Sequence, residues 1–260
     1  MAALKQSVTK ITLCVFVFAF VFVTNAVAQI GEYRNVWTVG AHAGYAMNTV
    51  GFQPTVQQDM KGGISLGAVA RYTSEKYFST ICAIQGELNI TSAGWKERIE
   101  TLSGEQVINP ETGVAEAYER SATYVQIPVL AHLAWGKETE GLRAFVVAGP
   151  QVGFLIGQGV TKNYDTPFIS TNFPSESSDK ARVSSVVYQE DNDIENKIDY
   201  GIALGAGVEY HIKNVGRFQI EGRYYYGLGN LYGNSKKDYF GKSNNGIIHV
   251  RLAYLIDLKK

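Results

Sequence analysis

Six charged side chains stand out among the 260 residues for what they could do together. Arg71, Arg223 and Arg251 carry guanidinium groups, and Glu87, Glu209 and Glu221 carry carboxylates. Each lies in a stretch where polar and apolar residues alternate, and each falls on the polar side. If those sides face one narrow interior, the six must pair, because a charge buried without a partner costs several kcal/mol. Paired, they make a salt-bridged plug that fixes register. Unpaired, they would line an ion path or a gate.

Other constellations point to less. His42, His132, His211 and His249 share the polar parity, but they sit on four different strands at differing heights. A metal needs its ligands within about 2.0–2.2 Å of one ion, so they read as hydrogen-bonded interior residues and no metal or cofactor is expected. Gly63-Ile64-Ser65-Leu66-Gly67 has nucleophile-elbow spacing. No helix follows it, so the serine is not raised on the required turn. Ser177-Ser178-Asp179-Lys180 fits S-x-x-K in a polar loop without that motif's companions. Asp191, Asp193 and Glu195 resemble half a calcium loop, but Asn196 stands where an EF-hand needs glycine. Gly227-Leu228-Gly229-Asn230 opens no helix, so it forms no phosphate cradle.

The elements that position these residues are strands. Period-two alternation runs through eight segments, 37–46, 63–72, 78–90, 123–135, 144–156, 200–212, 218–226 and 247–258. Most exceed the ~5–6 residues usual in soluble strands and match the ~10 that a tilted bilayer crossing needs. In the seventh, Phe218, Ile220, Gly222, Tyr224 and Tyr226 oppose Gln219, Glu221, Arg223 and Tyr225. In the eighth, Ile248, Val250, Leu252, Tyr254, Ile256 and Leu258 oppose His249, Arg251 and Asp257.

Alternation alone does not separate a soluble sandwich from a membrane barrel. Three features favour the barrel. Links at 73–77, 136–143 and 213–217 are short, whereas those at 47–62, 91–122, 157–199 and 227–246 are long, the order that an even-stranded barrel gives. Trp37, Tyr72, Phe78, Trp135, Tyr210 and Phe218 lie at the short-turn ends of the apolar face, and Tyr45, Phe154, Tyr200 and Tyr226 at the long-loop ends, like interfacial girdles. The polar face is rich in glycine, as a narrow lumen requires. The expected fold is all-β: an eight-stranded antiparallel up-and-down transmembrane β-barrel with a polar, filled lumen. That bore is just wide enough for side chains, which favours the plug over the pore.

Residues 1–28 read as a signal peptide. Lys5 and Lys10 precede an apolar run at 11–23, and Ala26-Val27-Ala28 is a small-x-small cleavage site. The run is too short to span a membrane as a helix. Residues 29–260 are then the barrel domain. Two of the 24 basic residues leave with the signal, so 22 oppose 24 acidic ones and the mature charge is −2. That field does not suit nucleic acid. Cys82 alone survives cleavage, so an internal disulfide is excluded.

The stretches YVQIPVLAHLAW (124–135), AGPQVGFLIG (148–157), DYGIALGAGVEY (199–210), FQIEGRYYYGLGN (218–230) and HVRLAYLIDL (249–258) resemble the PorT-like outer-membrane β-barrel family of Bacteroidetes. The resemblance covers nearly all of the mature chain and is most specific in the last three strands. The ending Leu258-Lys259-Lys260 departs from the aromatic terminus common in such barrels. The resemblance implies a bacterial outer-membrane barrel and an accessory role in secretion or maturation of surface proteins. The residues themselves support an anchor acting through long surface loops, with outer-membrane lipid, lipopolysaccharide and envelope or secretion-system proteins as partners. A small pore is the next reading. A lipid-modifying enzyme lacks a histidine of lipid-facing parity, and no enzyme activity is expected.

Overall fold

The computed structural model describes residues 31–101, 104–109, 112–138, 140–163, 182–183, 192–233 and 240–258. The expected signal peptide and residues 177–180 lie outside them, as does Asp191. Eight long strands build the molecule: β1 (Glu32–Gln53), β2 (Lys61–Tyr77), β3 (Thr80–Arg98), β4 (Ala117–Gly136), β5 (Gly141–Lys162), β6 (Ile198–Ile212), β7 (Gly216–Gly227) and β8 (Lys242–Asp257). Each pairs antiparallel with the next. β8 returns to β1 from Thr38↔Asp257 to Gln53↔Lys242, which closes the ring and leaves the barrel wall no free edge.

The sidedness decides between sandwich and barrel. A soluble sandwich buries its apolar face. Here Leu204 and Leu252 are each 61% exposed on the outside, while Gln85 and Glu209 inside are each 1% exposed. Only a lipid surround makes that arrangement stable. The expected girdle aromatics Trp37, Phe78, Trp135, Tyr210 and Phe218 are exposed at one end, and Tyr45, Phe154, Tyr200 and Tyr226 at the other.

Three tight turns, at 78–79, 137–140 and 213–215, share one end with both strand termini. Phe78, expected to start the third strand, instead sits in the two-residue turn with φ 51°. A two-residue hairpin loop demands such angles. At the other end the strands outrun the expected segments. The 91–122 link is ladder through Arg98 and again from Ala117, with Trp95 opposite Arg120 and Lys96 opposite Glu119. Charged residues there occupy both faces, so hydrophobic alternation fades while the backbone ladder continues.

The lumen departs from the expected polar filling at this end. Phe52, Trp95, Tyr232 and Phe240 form an aromatic core, with Phe52 centred 4.7 Å from Phe240 and 5.2 Å from Trp95. Arg120 lies over the Trp95 ring, 5.9 Å from its centre. Ile194, Leu231, Tyr232 and Phe240 come from the connections, which fold inward and cap the barrel. Leu231 N–H donates to the Ser243 carbonyl, and the Asn196 N–H donates to the carbonyl of Leu231, so the cap is tied to the wall. In the wall itself, ladder pairing lapses beside two prolines, which have no N–H to give: between β3 and β4 at Ile127 and Pro128, and between β4 and β5 at Gly149 and Pro150.

Candidate functional site: the charged lumen

Strand parity sends the six charged residues into the interior, where they form two layers. In the middle layer Glu87 accepts from both arginines. Arg223 Nη1 and Nη2 reach its two oxygens at 2.9 Å, and Arg251 Nη1 and Nη2 reach them at 2.8 Å. Glu221 accepts from Arg223 Nε at 2.7 Å and from Arg251 Nη2 at 2.8 Å. Two guanidinium groups and two carboxylates therefore close a ring across β3, β7 and β8. Such forked, charge-assisted contacts are the strongest a protein makes. Gln85 and Asn89 also donate to Glu87, at 2.6 and 2.9 Å.

The second layer lies nearer the tight turns. Glu209 accepts from Arg71 Nη1 at 2.8 Å, Arg217 Nη1 at 2.9 Å and Gln219 Nε2 at 2.6 Å. Arg143 Nη1 stands 3.3 Å from it. Arg217 also holds Asp257 through Nε and Nη2, each at 2.8 Å. Gln85 joins the layers, accepting from Arg71 Nε at 2.9 Å while it donates to Glu87. The sequence reading omitted Arg143 and Arg217. Each sits one residue before the segment where its apolar alternation begins, and extending the parity by one position would have placed both inside.

The remaining candidates do not converge. Ser65 bonds to Thr91 Oγ1 at 3.0 Å inside the wall, a hydroxyl and not a base. His42 bonds to Asn89 Oδ1 at 2.7 Å. Gly67 makes room for that pair, since a Cβ there would come 2.6 Å from His42 Nε2. Among the described residues no group of three or more His, Cys, Asp or Glu could hold a metal. Asp193 lies 3.7 Å from Arg120 and Glu195 accepts from the Gly233 N–H at 3.0 Å, so the two acids turn to different partners.

Outside the membrane span, Glu138 on the second tight turn takes Lys76 and Arg34 as partners, the latter at 2.9 Å. The Lys76 hydrogen bond, with smaller help from Arg34, holds its carboxyl below the usual range.

A closed ring of eight tilted strands, lipid-facing outside and charge-filled inside, defines a transmembrane β-barrel. The chain belongs to the outer membrane protein beta-barrel domain family, whose model matches residues 27–233, and so to the bacterial outer membrane. Similar solved structures include Neisserial surface protein A, with TM-score 0.38, 10% identity, and 84% of this chain and 96% of that one covered. OprG from Pseudomonas aeruginosa gives TM-score 0.39, 7% identity and coverage of 87% and 98%. The attachment invasion locus protein Ail of Yersinia pestis gives 0.34, 14%, and 86% and 99%. No curated protein matches the sequence.

Proposed function

We propose that this barrel is a non-conducting, non-catalytic anchor that presents its loop end to partners at the cell surface. The observation that carries this is the filled interior. Two charge layers cross the bore, and an aromatic core caps it. Beyond the girdle β3, β4 and β5 continue as a raised three-stranded ladder, paired from Arg98↔Ala117 to Ala93↔Ala122 and from Tyr118↔Lys162 down to Tyr124↔Leu155. Rigid scaffolds commonly carry recognition on such projections.

The partners this surface suits are outer-membrane lipid and lipopolysaccharide, then envelope proteins. Lys242 stands 5.7 Å from the centre of the girdle residue Tyr226, and Lys96 and Lys197 are exposed at the same end. Cations beside an aromatic belt suit phosphorylated headgroups. The PorT-like stretches favour a second reading, an accessory role in secretion of surface proteins.

Crosslinking from a photoreactive residue at position 160, in whole cells, tests the proposal. Adducts with lipopolysaccharide or envelope proteins support it, and secretion components among them assign the accessory role. An unreacted barrel whose purified form conducts would overturn it in favour of the pore.

A further inference from the structure

Among the described residues, the layer nearest the tight turns holds one more cation than its carboxylates balance. Arg71, Arg143 and Arg217 share Glu209 and Asp257, three guanidinium groups against two carboxylates. The middle layer balances two against two. A buried surplus charge is costly unless something of opposite sign joins it.

The surplus has a location. Arg71 Nε is taken by Gln85 and Nη1 by Glu209, but Nη2 has no partner among the described residues although the residue is 3% exposed. In reaching Glu209, Arg71 spans the bore from β2 to β6, and β4 and β5 stand between those strands on one side of the ring. On that side His132 stacks on Phe145 with ring centres 4.9 Å apart. Both of its nitrogens are buried and without a partner among the described residues. Register sets His132 opposite Ala83 and Arg71 opposite Gln85, two residues apart on the lumen face of β3. The two unpartnered side chains therefore share one level of the bore.

Buried polar groups in native proteins are nearly always satisfied. A water between these donors would meet their hydrogen bonds but not the surplus charge. We propose that a small monovalent anion of the halide class binds here, held by Arg71 Nη2 and one N–H of His132. It would enter from the periplasmic mouth, where the Asp257 side chain is 33% exposed. The inference does not rest on the anchor role, since an anion can sit in a barrel of any function.

Two measurements on the purified, assembled barrel test it. Crystals grown in bromide should show an anomalous peak within hydrogen-bonding reach of Arg71 Nη2. Raising chloride against gluconate at constant ionic strength should raise the temperature at which the folded gel band is lost, because a ligand of the native state stabilises it. Arg71→Gln should abolish the chloride effect. His132→Phe keeps the stacking on Phe145 and should raise the half-saturating chloride about tenfold, the loss of one hydrogen bond to a charged group. If Arg71→Gln fails to assemble, His132→Phe decides. Absence of the peak together with equal transition temperatures in chloride and gluconate would overturn the proposal. So would a chloride effect undiminished in His132→Phe.

Discussion

Glu87 is the residue through which most of the interior is connected. Its carboxylate holds Arg223 from β7 and Arg251 from β8, and takes further bonds from Gln85 and Asn89 on its own strand. Removing one partner of such a set strands the other charge out of water. Arg223→Ala is therefore expected to cost about 3–5 kcal/mol. It should lower the temperature at which the fast-migrating, unboiled gel band converts to the slow one. An unchanged temperature would mean that water reaches the layer and screens it. Glu138→Gln is the contrasting variant. Its partners Lys76 and Arg34 lie at the surface, where an ion pair is worth about 0–1 kcal/mol, so the band conversion should hardly move. The small contribution of Glu138 is present above the ordinary carboxylate range and fades as pH falls, since its folded-state pKa is depressed.

The connections at the loop end divide into two kinds of element. Ile194, Leu231, Tyr232 and Phe240 are buried in the aromatic core, so their segments belong to the folded body. Replacing 164–191 by a short turn removes none of these side chains and, among the described residues, breaks the small pairing of Arg182–Val183 with Glu100–Thr101. That variant should assemble and keep its transition temperature. Phe240→Ala should lower it, because truncating a buried aromatic costs about 3–5 kcal/mol. A loop-shortened barrel that no longer assembles, or a Phe240→Ala protein of full stability, would show the division misplaced. The long connections are expected to act as surface loops, but Ile194 in the 157–199 link and Leu231, Tyr232 and Phe240 in the 227–246 link fold inward and cap the barrel.

For the molecule as a whole, the closed ring and the filled bore make separate claims. Closure gives every wall strand a paired neighbour on both sides, so strong resistance to detergent follows from the backbone. The filling decides conductance. Protein reconstituted in planar bilayers should give no stable current steps. Trp95→Ala should still give none, because both charge layers lie below the aromatic core. Steady ohmic steps from the unaltered protein would reveal a continuous water path beside those layers and revive the pore.

Much of this was legible in the residues. Alternation in the eight segments placed Arg71, Glu87, Glu209, Glu221, Arg223 and Arg251 on one side, because a strand must send successive side chains to opposite faces. Short and long links and two rings of aromatics pointed to lipid outside. The partner choices were not legible, because they depend on contacts between strands far apart in sequence. Arg71 meets Glu209, 138 residues away, while Arg251 meets Glu87, 164 residues away. Curvature brings those groups together only once β8 has closed on β1. The aromatic core was hidden for a related reason. Tyr232 and Phe240 lie in a connection with no period, and only the closed ring supplies the hollow they fill. The sequence by itself determined which face each strand side chain takes, because local geometry enforces it. Which charge meets which, and what seals the outer mouth, the tertiary structure decided, because both depend on distances that closure alone sets.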